Sequence, residues 1–301
     1  MTSVPAKDSK ALTFVKRTSS TLGLWAVVTL AFVSRIGWAY VALIGLLVVL
    51  ATIEYFRMLK DGGVKGFPGY TLLLTIAYSV GLYAFLLGDG VPVWFDGLAI
   101  FASLAGAFVL QLRRPVEGLG SITGVAMSVL GFLYIAFFFN FGARVVFAVP
   151  GPGEVPGAML LLWGIAVTKF TDMGAYIVGS AIGRHKMCPH ISPGKTWQGF
   201  GGAIAFALLA GCGLYALFQD DMPNFSAGLH VLGGWGLVIG LSIALALVAV
   251  VGDLAESVLK RSLSVKDSGQ VLPGIGGALD LIDSMCFTLP LLYFYVTWVT
   301  G

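Results

Sequence analysis

Charge is scarce in this chain. Of 301 residues, 18 are Lys or Arg and 15 are Asp or Glu, so charged groups are 11% of the sequence while hydrophobic ones reach 57%. A soluble domain carries about 25% charge; with a mean hydropathy of +0.91 the chain is expected to be an all-α, polytopic integral membrane protein. Cysteine is nearly missing too. Cys188, Cys212 and Cys286 lie far apart and form no CxxC pair, which leaves them as small buried hydrophobes rather than a thiolate metal site. His185 and His190 have no ligand-like neighbours and read as loop surface. The formal net charge is only +3 and there is no basic block, so nucleic acid is not a partner. Internal repeats, low-complexity tracts and a soluble domain are all absent. A cleavable signal is lacking as well: residues 1–20 are polar, and the apolar run after them has no small-residue cleavage site, so it is expected to remain as an anchor.

Long apolar runs are what the chain does have. A spanning helix needs about 20 mostly apolar residues, and about nine transmembrane helices are expected, over 19–34, 37–57, 69–88, 92–112, 119–139, 157–182, 199–218, 230–252 and 280–299. The first two are separated only by Ser34-Arg35-Ile36, so they could also form one long or re-entrant segment. Glycine is abundant, at 41 residues, as suits helices that pack through small side chains. Breaks fall at Gly62-Gly63, Gly88-Asp89-Gly90, Arg113-Arg114-Pro115 and the Pro150–Gly153 run. Under nine spans, fifteen of the eighteen basic residues fall on one side: Lys7, Lys10, Lys16, Arg17, Arg57, Lys60, Lys65, Arg113, Arg114, Arg184, Lys186, Lys195, Lys260, Arg261 and Lys266. The opposite loops hold Arg35 and Arg144, and Lys169 lies within a span. This asymmetry puts the N-terminus and the polar loops in the cytoplasm. Residues 1–18 read as a cytoplasmic tail, 19–150 as scaffold helices and 151–301 as the catalytic membrane domain.

The catalytic assignment rests on one polar stretch, residues 252–284, which holds eight of the charged side chains. Asp253 and Glu256 close one apolar run, and Asp280 and Asp283 open the next. Each pair is three residues apart and shares a face if helical. Ionisable groups at the edge of hydrocarbon are costly and usually have a functional partner. Hard carboxylates suit Mg²⁺, which bridges to substrate phosphates, and Lys260, Arg261 and Lys266 between them suit a phosphorylated ligand. The plain alternative is snorkelling helix ends, with Glu256 and Lys260 as an i,i+4 pair. Pro273-Gly274 and Gly276-Gly277 shape a tight loop here.

Two further segments carry polar chemistry. Lys169 and Asp172 sit inside an apolar run, either as a mutual ion pair or with Asp172 facing a polar cavity. The loop 184–199 ends in Gly194-Lys195-Thr196, but Pro189 stands where a P-loop needs glycine, so a Walker site is rejected. Ser192, Lys195 and Thr196 can still meet phosphates through a charge and hydroxyls. Arg184, Lys186 and Lys195 are equally explained by topology alone.

Taken together, these residues resemble the phosphatidate cytidylyltransferases, the CDP-diacylglycerol synthases. The pattern runs through Asp172-Met173-Gly174-Ala175-Tyr176, Gly179, Gly183, Ser192-Pro193, Lys195-Thr196-Trp197 and Gly199. It continues through Gly252-Asp253, Glu256-Ser257, Lys260-Arg261, Lys266-Asp267-Ser268-Gly269, Pro273-Gly274, Gly276-Gly277, Asp280 and Asp283. The N-terminal half matches only as apolar helices, with Glu54-Tyr55 ending the second. Three positions depart: Gln198, Ile275 and Leu281 stand where the family has glutamate, histidine and arginine. The intact carboxylates favour a divergent enzyme.

The resemblance implies transfer of CMP from CTP to phosphatidic acid, with Mg²⁺ and, in that family, a second, monovalent cation such as K⁺. It implies metal ligands among Asp253, Asp280, Asp283 and Asp172. Lys195, Lys260, Arg261 and Lys266 would neutralise phosphates. Asp172, Ser192, Lys195, Thr196, Glu256, Asp267, Gly276 and Gly277 would contact substrates. It also implies a homodimer in the inner membrane of a bacterial-type cell. The alternatives are a CTP-dependent transferase or kinase acting on another lipid phosphate or an isoprenoid lipid, and a non-enzymatic lipid-binding or transport paralogue.

Overall fold

The computed structural model describes residues 26, 28–151, 153–265, 268–269 and 276–300. Eight helices among them are long and apolar enough to cross a membrane. They match the last eight of the expected spans; most of the 19–34 span lies outside the described residues, although 28–34 are helical. Arg35, at φ 56°, breaks that helix before α1 (Gly37–Asp61) begins. Next come α2 (Pro68–Leu86), with proline in its first turn where no amide donor is needed, and α3 (Val93–Gln111). The fourth span is α4 (Leu119–Gly131), a π-helical turn (Phe132–Phe137) and α5 (Phe141–Val146). The C-terminal half holds α6 (Ala158–Ile182), a hairpin of β1 (Lys186–Cys188) and β2 (Ser192–Thr196), α7 (Trp197–Leu217), α8 (Trp235–Ser262), α9 (Ala278–Ile282) and α10 (Met285–Thr300). The hairpin is the only sheet among the described residues, so the all-α reading stands with one small exception.

Three boundaries differ from expectation, each for a polar reason. The fourth span runs on to Val146, because the π turn lets buried Asn140 satisfy itself inside the bundle. Its amide donates to Ser79 Oγ (3.0 Å) and the Ala136 carbonyl (2.7 Å), and its oxygen accepts from Tyr83. Arg144, expected in a loop, is therefore helical and buried, with Asp96 at 2.6 Å. α8 continues past its expected end at Gly252 as far as Ser262, carrying Asp253, Glu256, Lys260 and Arg261 on helix. The last span is interrupted by a turn at Asp283-Ser284.

The Arg144–Asp96 pair gives a stability prediction. Asp96→Ala strands a buried guanidinium, and breaking a buried pair costs about 3–5 kcal/mol. Because Asp96 keeps 33% of its side chain exposed, the low end, about 3 kcal/mol, is expected. A fall in the thermal midpoint of the detergent-solubilised protein would register it, and an unchanged midpoint would show the pair to be dispensable.

Packing between α6 and α7 fixes the geometry of the site. A Cβ on Gly174 would lie 2.5 Å from the Gly202 carbonyl, and one on Gly202 would lie 2.6 Å from the Gly174 carbonyl. Further along, Gly179 faces Gly199. Such close approach through small residues is common between membrane helices, and here α7 supplies the partner of Gly179.

Candidate functional site

Polar residues from the middle of α6, the C-terminal part of α8 and the short α9 come together beside the hairpin. Lys260 extends from the last turn of α8 and its ammonium lies between Glu256 Oε2 (2.5 Å) and Asp280 Oδ1 (2.8 Å). Asp280 also accepts the Gly277 amide on Oδ2 at 2.9 Å, so one carboxylate ties the start of α9 to α8. Lys195, projecting from β2, pairs with Asp253 of α8 at 2.9 Å. Lys169 of α6 donates to the Leu281 carbonyl at 2.9 Å and sits 3.8 Å from Asp172. Asp172, Asp253 and Asp283 lie within electrostatic reach of one another, and Glu256 stands beside Asp280. Asp283 is buried, takes its neighbour's amide, that of Ser284, and has the Tyr134 hydroxyl 3.5 Å from its own carbonyl.

Acids distant in sequence thus converge, but they are not assembled as a finished metal shell. Among the described residues no three His, Cys, Asp or Glu side chains form a group that could hold a metal ion. Of the expected quartet, Asp172, Asp253 and Asp280 each have a lysine ammonium beside them, and Asp283 is buried next to Ser284. The ammonium groups sit where a cation would otherwise be required. The chemistry of the donors still fits a hard divalent ion, since all are carboxylate oxygens. Glu256 is 1% exposed, and its Oε1 is a buried acceptor with no hydrogen-bond partner.

Other predicted residues are placed as follows. Thr196 Oγ1 accepts the Gly199 amide at 3.1 Å, capping α7, and is packed against Gly179 and Gly183. Its hydroxyl oxygen serves the α6–α7 junction. Arg261 donates to the Ile191 carbonyl at 3.3 Å, strapping α8 to the hairpin. Ser192 is half-buried on β2, opposite Cys188. Gly276 has φ +124°, and a Cβ there would lie 3.1 Å from Asp280 Oδ2; glycine is needed on both counts. Lys266, Asp267, Pro273, Gly274 and Ile275 lie outside the described residues. Of the departures, Gln198 is structural: its oxygen accepts the Arg184 and His185 amides (3.1 Å each) and its nitrogen meets His185 Nδ1 at 2.8 Å. Leu281 meets the site through its backbone, as the acceptor of Lys169.

Glu54 was not expected here. It lies on α1, in the half read as scaffold, and is fully buried. Its Oε2 accepts the Leu279 amide at 3.0 Å, 225 residues away, and its carboxylate presses on Gly269 and Gly277. The available signal was an acid inside an apolar span, which by default marks a functional position.

Comparisons with known proteins accord with this arrangement. The family model described as "Cytidylyltransferase family" matches residues 15–299. The phosphatidate cytidylyltransferase of Bacillus subtilis is 31% identical over 275 residues, 90% of this chain and 94% of the relative. That of Helicobacter pylori is 33% identical over 239 residues, covering 77% and 80% of the two chains, and that of Mycobacterium bovis is 29% identical, covering 88% and 81%. The family match includes Glu54 as well as the carboxylates of the C-terminal half, and so takes in both sides of the contact at Leu279. The chain is a nucleotidyltransferase and belongs to the cytidylyltransferase family.

Proposed function

We propose that the protein transfers the CMP moiety of CTP to phosphatidic acid, yielding CDP-diacylglycerol and pyrophosphate. A phosphate oxygen of the lipid attacks the α-phosphorus, and the bond from that phosphorus to the bridging oxygen of the β-phosphate breaks as pyrophosphate leaves. The observation that carries the reading is the alternation of ammonium and carboxylate groups supplied by α6, the hairpin, α8 and α9. Two anions must approach each other in this reaction, so positioning and charge neutralisation are the main demands. Lys195 and Lys260 are placed to exchange their carboxylate partners for phosphate oxygens when substrate enters. Asp253, Asp280 and Asp283, with Asp172 beside them, would hold Mg²⁺. When bound, that ion neutralises charge on the triphosphate. No general base is needed, because the phosphatidate headgroup is already anionic near neutral pH. The headgroup would reach the site from the cytoplasmic leaflet of the inner membrane, in keeping with the side on which the basic residues fall, while the acyl chains stay in the bilayer.

The test is purified protein supplied with CTP radiolabelled at the α-phosphate, Mg²⁺ and phosphatidic acid. Label is expected in a chloroform-soluble liponucleotide, with one pyrophosphate released per product. Release of labelled CDP without a liponucleotide would identify a kinase and overturn the proposal.

A further inference from the structure

A groove of about 920 Å³ lies away from the carboxylates, between the last turns of α1, the turn at 62–67, the start of α2 and the loop joining α3 to α4. Its floor is apolar, with Ile53, Phe56 and Leu72, and Arg57, Lys60, Lys65 and Arg114 line it against one acid, Glu117. The walls are tied in place. Lys65 Nζ meets both Glu117 carboxylate oxygens at 2.8 Å, and the Arg114 guanidinium stacks 4.3 Å from the Phe67 ring centre. The Phe67 amide donates to Ser128 Oγ at 2.9 Å. Arg57 and Lys60 are exposed, and neither has an acidic partner among the described residues.

We propose that this groove binds an anionic phospholipid, separately from the reacting lipid. The headgroup phosphate would lie among Arg57, Lys60 and Arg114, with the glycerol and first acyl carbons along Ile53 and Leu72. The volume is at the upper end of small-molecule sites, about 300–1,000 Å³, so it takes a headgroup and leaves the rest of both chains in the bilayer. Charge selects the occupant. Basic clusters beside a membrane attract anionic lipids, and arginine matches phosphate geometry. The chain's own N-terminal residues are a poor alternative, because Lys7, Lys10, Lys16 and Arg17 oppose only Asp8 and would be repelled. Topology alone asks for basic residues somewhere on this side. It does not ask for four of them around one apolar-floored groove with braced walls. Glu54 and the carboxylates of the C-terminal half are not among the residues that line the groove, and the proposal is argued from the groove alone, so it stands whether or not the cytidylyl reaction is the right one.

Lipid retention by the full-length protein, measured by native mass spectrometry from mixed micelles, tests this. Phosphatidylglycerol is expected to bind in preference to phosphatidylcholine. The triple variant Arg57→Gln, Lys60→Gln, Arg114→Gln is expected to lose about 100-fold in phosphatidylglycerol affinity. Glu117→Gln removes the one acid and is expected to tighten binding, a gain that misfolding cannot mimic. Equal retention of both lipids, unchanged binding in the triple variant, or no gain from Glu117→Gln would overturn the site. Displacement of phosphatidylglycerol by millimolar inorganic phosphate would overturn the lipid assignment in favour of a free-phosphate site.

Discussion

Asp280→Asn is expected to lower cytidylyl transfer by at least about 100-fold, the scale on which single preorganised electrostatic groups act at a reaction centre, while leaving the protein folded and inserted. The substitution is nearly isosteric. Asparagine keeps an oxygen that can accept the Gly277 amide, so the start of α9 stays closed. Lys260 keeps its second carboxylate, Glu256, at 2.5 Å, so no ammonium is left stranded. What disappears is one negative charge and one hard donor beside Lys260. A loss of turnover with an unchanged thermal midpoint would assign Asp280 to the chemistry. Near-normal turnover would remove it from any metal or phosphate role, and parallel loss of turnover and stability would make it a structural tie.

Much of the fold was legible because it follows from apolar run length, turn residues and the side on which basic groups fall. Those signals are local and additive, and the eight described spans reproduce the apolar run lengths. What escaped were the places where polar groups answer to distant partners. The apolar span ended at Gly252, yet α8 runs on through Asp253, Glu256 and Lys260, two of which find partners on other elements, Lys195 and Asp280. Arg144 looked like a loop residue for want of Asp96. Thr196 was read for its phosphate-contact chemistry, and its cap on α7 went unseen because that depends on packing against Gly179 and Gly183. Convergence of the acids was readable from their density in 252–284. The local pairs Glu256–Lys260 and Lys169–Asp172 were readable too, from their i,i+4 and i,i+3 spacing; the long-range pairs Lys195–Asp253 and Lys260–Asp280 were not, because spacing along the chain does not say which distant charges will meet.

The contact between halves gives the second large prediction. Gly269→Ala is expected to reduce turnover by about 100-fold, the order of loss that follows a displacement near 1 Å at a reaction centre. An alanine Cβ at this position would lie 2.4 Å from Glu54 Oε1, 2.5 Å from its Cδ and 2.8 Å from its Cγ. All three nearest atoms belong to one side chain. Backbone strain is not the cause, since Gly269 is not among the positive-φ glycines. Glu54 cannot yield cheaply, because it is fully buried and holds the Leu279 amide, one residue before Asp280. Pushing it aside therefore moves the segment that presents Asp280 to Lys260. Glu54→Ala alone leaves that amide unpaired, at a cost of about 1–3 kcal/mol, but it also removes all three of the atoms nearest the new methyl. In the Glu54→Ala background, Gly269→Ala should accordingly add almost nothing. Contacting residues couple by about 0.5–3 kcal/mol, so the cycle should be strongly non-additive in both turnover and thermal midpoint. Additive losses would mean that Gly269 acts through some other neighbour, and that α1 does not position the carboxylate end of the C-terminal half.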